Sequence, residues 1–179
     1  GVSYMSYQRD FTIGLRETQD FYLSLVLGRW RKGIAGFGLV GALAALLYTM
    51  NTALALPVQA AAVLAGALAG AGITAAVVSL STLGKVREQV RRSGRERYVQ
   101  ETEINGFGVH VTVGKDRAKM DFMDLLRVQE TRRAFYLFLS ANQAWILPKA
   151  QMEEGDCARL RGLFSAVIEK GKLNIKGSR

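Results

Sequence analysis

The 179-residue sequence has one cysteine, one histidine and two prolines, and each shortage removes a class of chemistry. With Cys157 alone, no disulfide can close within the chain and no thiolate metal cluster can be built. With His110 alone, a histidine-based metal site is out of reach, and a catalytic dyad would have to recruit Cys157 or a serine. The P-loop, zinc-ligand spacings, the Gly-x-Ser-x-Gly elbow and the dinucleotide fingerprint are all missing. The longest absence is of charge. From Gly33 to Gly84, 52 consecutive residues include no Asp, Glu, Lys, Arg or His.

What fills that stretch is apolar. A bilayer core requires about 20 apolar residues per helix, so the run holds two spans and a turn. The spans are expected at Gly33–Leu54 and Val58–Leu83, with Pro57 near the middle and an uncharged turn at Asn51–Gln59. Arg29, Arg31 and Lys32 precede the run; Lys85, Arg87, Arg91 and Arg92 follow it. Basic flanks at both ends of a hairpin predict that both termini face the cytoplasm. The same seven cations are candidate contacts for anionic lipid head groups of the cytoplasmic leaflet. Net charge is +9, and residues 85–97 alone carry six basic and two acidic side chains. Beside an apolar helix this density points to lipid, so no nucleic-acid partner is expected. An ionisable residue inside the spans, the usual mark of an ion path, is absent, which argues against a channel or pump. Ala62, Gly66 and Gly70 form a small-residue stripe, a candidate helix-packing face within the hairpin or between copies. A narrow hairpin covers little of its own small-residue surface, so a homo-oligomer is expected.

The rest divides into residues 5–32, a strand and an interfacial helix; 85–97, a basic juxtamembrane helix; and 98–172, a β-rich domain. Gly1–Tyr4 and Gly177–Arg179 read as additions to a native start at Met5. No cleavable signal peptide is expected, because about 30 polar and charged residues precede the first span. Alternation predicts a strand over Met5–Ile13, and Thr18 reads as the N-cap of the helix behind it. Tyr98–Ile104 and Phe107–Val113 read as a hairpin turned at Asn105-Gly106. Further strands are expected at Ala118–Phe122, Leu125–Thr131, Ala134–Ser140 and Ala144–Pro148. A helix over Glu153–Lys170 carries Cys157, Leu160, Phe164, Val167 and Ile168 on one stripe, with Arg159, Arg161, Glu169 and Lys170 off it. An antiparallel meander closed by one helix is an α+β arrangement. The N-terminal strand is expected to join that sheet, which makes the hairpin an insertion within one domain.

Phe122 to Lys149 carries an order of short motifs: Asp124-Leu125, Glu130-Thr131, the run Ala134 to Leu139, and Ile146-Leu147-Pro148-Lys149. With the hairpin before it, this layout resembles the YcxB-like family of bacterial membrane proteins. Phe122 stands where that family often has Trp. The resemblance implies a pleckstrin-homology-like β domain behind two transmembrane helices, in a bacterial cell membrane. It implies no common activity.

The remaining candidates for chemistry read as structure. His110 alternates with Val109 and Val111, Cys157 lies on an apolar stripe, and Asp121 and Asp124 flank a strand end. Lys115, Arg117 and Lys119 read as a solvated face, with a lipid head-group site as the sharper reading. No catalytic, cofactor or metal residue is assigned. The leading expectation is a non-enzymatic membrane-anchored interaction module with an unknown protein partner. The rivals are a bacteriocin or toxin immunity protein, an anionic-lipid-binding membrane regulator, and an enzyme drawing on His110, Asp121, Asp124 or Lys149.

Overall fold

The computed structural model describes residues 6–52, 54–94 and 96–175. Met5, the ends Gly1–Tyr4 and Gly177–Arg179, Ala53 of the expected turn and Arg95 lie outside the described residues. The chain divides into two compact units, one of residues 1–21 with 93–179 and one of residues 22–92.

The first unit begins with β1 (Tyr7–Gly14), where alternation sends Tyr7, Phe11 and Ile13 inward. β1 pairs over its whole length with β2 (Arg97–Ile104), from Tyr7 opposite Ile104 to Gly14 opposite Arg97. Everything between those two strands is therefore an insertion into one sheet. β3 (Gly108–Val113) and β4 (Asp116–Asp121) complete it in the order β1-β2-β3-β4, all antiparallel. Gly108 is required by close approach, since a Cβ there would run into the Met120 carbonyl on β4. The two-residue turn between β3 and β4 has positive φ at Gly114 only, the pattern of a type II′ turn.

A second sheet has the order β7-β6-β5-β8, from β5 (Arg127–Glu130), β6 (Ala134–Phe138), β7 (Ala144–Pro148) and the short β8 (Leu173–Asn174). All five residues of β6 are buried, so its run Ala-Phe-Tyr-Leu-Phe is apolar without alternation. The Phe135 ring lies 6.0 Å from Phe164 of the last helix, while Tyr136 and Phe138 lie 5.3 and 5.7 Å from Phe21. Each fully buried aromatic of this kind contributes about 1.5–3 kcal/mol by leaving water.

The second unit is made of α1 (Leu15–Met50) from Tyr22 onward and of α2 (Leu56–Ser93) up to Arg92, while the first turns of α1, through Phe21, belong to the first unit. Gly41 lies against the Gly66 carbonyl, Gly66 against Gly41 and Ala45, and Gly70 against the Phe37 carbonyl. Removing Cβ at these positions lets two backbones touch. The large side chains, among them Phe37, Leu43, Leu64, Leu68 and Ile73, point outward and are exposed. Both helices are long and apolar enough to cross a membrane.

Several expectations are corrected. One meander becomes two sheets, and β8 pairs in parallel with β5, a two-residue strand that no alternation could announce. Thr18 does not cap α1. The helix begins at Leu15, the Glu17 carboxylate accepts the Gly14 N–H at 2.9 Å, and Thr18 Oγ1 donates back to the Gly14 carbonyl. The hairpin expected at Asn105-Gly106 does form, with β2 and β3 paired antiparallel on either side of it, but backbone bonds alone do not close its turn. Instead Asn105 Oδ1 accepts from the N–H groups of Phe107 and Gly108, so its side chain stands in for the turn backbone. The last helix, α3 (Asp156–Val167), is shorter than expected because Gly155 at φ 89° precedes it and Ile168 is extended.

Candidate functional site

The most concentrated polar chemistry in the first unit gathers on Glu130, the last residue of β5, whose side chain is 1% exposed. A buried carboxylate is tolerated only when its charge and lone pairs are matched. Arg161 of α3 binds it with both arms of the guanidinium, Nη2 at 2.6 Å from Oε1 and Nε at 3.0 Å from Oε2. Lys149, just past β7, donates from Nζ to Glu130 Oε1 at 2.6 Å and to the Thr131 carbonyl at 2.7 Å. The same ammonium lies 4.9 Å from the centre of the Phe135 ring. The Glu130 carboxylate holds the Arg161 guanidinium above its ordinary range. Three elements are thereby tied by one carboxylate.

Beside this triad opens a cleft of about 750 Å3. Its wall includes the first turns of α1 and the β5–β6 turn. Thr131 N–H donates to the Ala134 carbonyl at 2.9 Å, and Thr131 Oγ1 accepts from the N–H groups of Arg133 and Ala134. That turn carries Arg132 and Arg133 side by side at its tip. Arg133 reaches Asp20 of α1 at 2.7 Å, which lifts the guanidinium above its ordinary range through that hydrogen bond.

The residues singled out from sequence fall elsewhere. Arg29, Arg31 and Lys32 are exposed on α1, as are Lys85, Arg87, Arg91 and Arg92 on α2. Glu88 already engages Arg91 at 2.9 Å and Arg92 at 2.8 Å, so two of the four α2 cations carry an internal counter-charge. Gly66 and Gly70 are spent against α1, and Ala62 is half-buried one turn before them. His110 on β3 stands opposite Glu103 and Lys119. Cys157 Sγ lies 3.8 Å from Met152 Sδ. Asp121 and Asp124 are exposed on one turn, and among the described residues no group of three or more His, Cys, Asp or Glu could hold a metal. Lys115, Arg117 and Lys119 are exposed at and after the Gly114 turn.

Lys149, noticed in the sequence as part of a motif and as a candidate of the enzyme reading, neutralises Glu130 in the structure. Arg161 was missed. It stands 31 residues from Glu130 in sequence, and nothing in helix periodicity distinguishes it from the neighbouring Arg159.

Residues 104–164 match the family model described as YcxB-like protein. The matched stretch contains Glu130, Lys149 and Arg161 together with the Arg132-Arg133 turn. No curated protein and no solved structure matches the chain.

Proposed function

We propose that this chain, YcxB-like over residues 104–164, is a two-span membrane protein whose β-rich unit serves as a non-enzymatic interaction module. The observation that carries the reading is the insertion of two long apolar helices between two fully paired strands, β1 and β2. A chain that leaves a sheet through one helix and returns to it through the next has both connections on the same side of any bilayer those helices cross. The outward Phe, Leu and Ile side chains of α1 and α2 support lipid contact, because in water they would form a large exposed apolar surface. The seven flanking cations support a cytoplasmic placement of both termini.

The glycine contacts refine the spans. Gly41 against Gly66 and Gly38 against Ala71 set an antiparallel register that brings the Trp30–Lys32 turn level with about Ala75–Val78. α2 reaches Lys85 only about two turns later, at 1.5 Å per residue. Ser79, Ser81 and Thr82 occupy the intervening turns, so the second span ends near Val78 and the rest lies at head-group depth.

A four-stranded antiparallel sheet, a β5-β6-β7 meander and a closing C-terminal helix support a pleckstrin-homology-like domain. In such a domain the exposed edge strand β4 is an available surface for adding a partner strand. Self-association belongs to the same reading. It runs over outward faces, where Gly36 and Gly72 have no neighbour within 4 Å, and not over Gly66 and Gly70.

Single-cysteine labelling tests the topology in a Cys157→Ser background. A membrane-impermeant reagent added to intact cells should modify Thr52→Cys and spare Asn105→Cys. Labelling of Asn105→Cys from outside, or a protein recovered without membranes, overturns the proposal.

A further inference from the structure

The cleft beside Glu130 has a charge arrangement that its structural contacts do not explain. Both carboxylates on its wall are engaged: Glu17 accepts the Gly14 N–H at 2.9 Å and Asp20 accepts Arg133 at 2.7 Å. Lys149 is committed to Glu130 and Thr131. Arg16 and Arg132, by contrast, line the same cleft, are exposed, and have no hydrogen-bond or ion-pair partner among the described residues. They come from separate elements, the first turn of α1 and the tip of the β5–β6 turn, and each lies beside backbone held by a side chain, the Gly14 N–H on Glu17 and the Arg133 N–H on Thr131 Oγ1. With Arg133 matched by Asp20 and Lys149 by Glu130, the two uncommitted guanidiniums outweigh the one remaining carboxylate, Glu17, and leave the cavity net positive.

We propose that this cleft binds a phosphate-bearing ligand, with Arg16 and Arg132 holding the phosphate. A carboxylate can be saturated by one guanidinium fork, whereas a phosphate has oxygens enough for two forks arriving from different directions. The floor is apolar, made of the buried Ile146, Pro148 and Ala134. A volume of about 750 Å3 is far larger than a bare ion and falls in the range of small-molecule sites. The ligand is therefore a phosphate ester on a larger and partly apolar body. A phospholipid head group and a soluble phosphorylated metabolite share that chemistry. The inference goes beyond the interaction-module reading and does not depend on the chain crossing a membrane.

The test uses the full chain in phosphatidylcholine nanodiscs, with amide hydrogen exchange read at residues 131–134. In one arm glycerol 3-phosphate is titrated; in the other, phosphatidylglycerol replaces part of the lipid. Saturable protection of the turn in the first arm identifies a soluble ester, and protection in the second alone identifies a head group. Arg16→Ala with Arg132→Ala should weaken that protection by at least about tenfold, the loss of a charge-assisted hydrogen bond or more. Lys115→Ala with Lys119→Ala removes the same charge elsewhere and should leave it unchanged. Neither arginine has a partner among the described residues, so the first double variant should melt with the parent. The proposal fails if neither arm saturates, if both double variants lose equally, or if a polyglutamate peptide protects the turn as well as the phosphate does.

Discussion

Gln151 clasps the backbone of Thr12 with both ends of its amide. Its Oε1 accepts the Thr12 N–H at 2.7 Å, and its Nε2 donates to the Thr12 carbonyl at 2.8 Å. Thr12 lies on β1, the end strand of the first sheet, so a side chain supplies the pair of bonds that a further strand would have made. Along the same strand, Asp156 Oδ2 accepts Tyr7 Oη at 3.2 Å and Arg9 Nη1 at 3.1 Å. Residues from the two ends of the sequence are thus locked together across the insertion.

This clasp predicts that Gln151→Ala lowers stability by about 1–3 kcal/mol, since it leaves two backbone groups of β1 without partners. Removing residues 1–16 should cost far more, because β2 then loses its partner over eight residue pairs. Urea denaturation followed by near-ultraviolet circular dichroism reads both effects. A truncated chain that melts with the parent contradicts the split-sheet arrangement.

The Glu130 triad predicts an order among its variants. Lys149→Met should destabilise by about 3 kcal/mol, because a carboxylate that is 1% exposed is left with one cation. Arg161→Ala should cost less: at 30% exposure, its guanidinium already shares its hydration with water. Adding Glu130→Gln to Lys149→Met should recover part of the loss, so the double-mutant cycle is non-additive.

Tyr7 predicts an alkaline slope. Burial first, and then the Asp156 charge and hydrogen bond, push its phenol above the ordinary value near 10. The folded state thus favours the protonated phenol. Its stabilising contribution is full below the ordinary value and declines as pH rises above it, where the unfolded chain releases the proton and the folded chain does not. Denaturation between about pH 9 and 11 should show a falling stability that Tyr7→Phe makes shallower.

The hairpin predicts opposite outcomes for glycines on one helix. Gly66→Leu forces a side chain into Gly41 and Ala45 and should separate α1 from α2, whereas Gly72→Leu meets nothing within 4 Å and should be tolerated. Disulfide cross-linking of cysteines placed at Ala45 and Ala62 in a Cys157→Ser background should fall in the first variant only.

Several features were legible without coordinates because local chemistry fixes them. The alternation of Tyr7, Phe11 and Ile13 marks a strand, an unbroken run without charge marks two long apolar helices, and Leu160 with Phe164 marks one face of a helix. Element ends were read less well. Capping by Glu17, the Asn105 side-chain turn and the early stop at Ile168 depend on single hydrogen bonds that compete with equally plausible local alternatives.

Charge and periodicity in the sequence were sufficient to mark the insertion and a β-rich unit around it. Which charges act together was decided only by tertiary structure. Glu130, Lys149 and Arg161 are separated by 19 and 12 residues, and Arg16 shares a cleft with an Arg132 that follows it 116 positions later. Periodicity reports which face of an element is buried. It carries no information about which distant element covers that face, because pairing is settled by burial and hydrogen bonding summed over the whole fold.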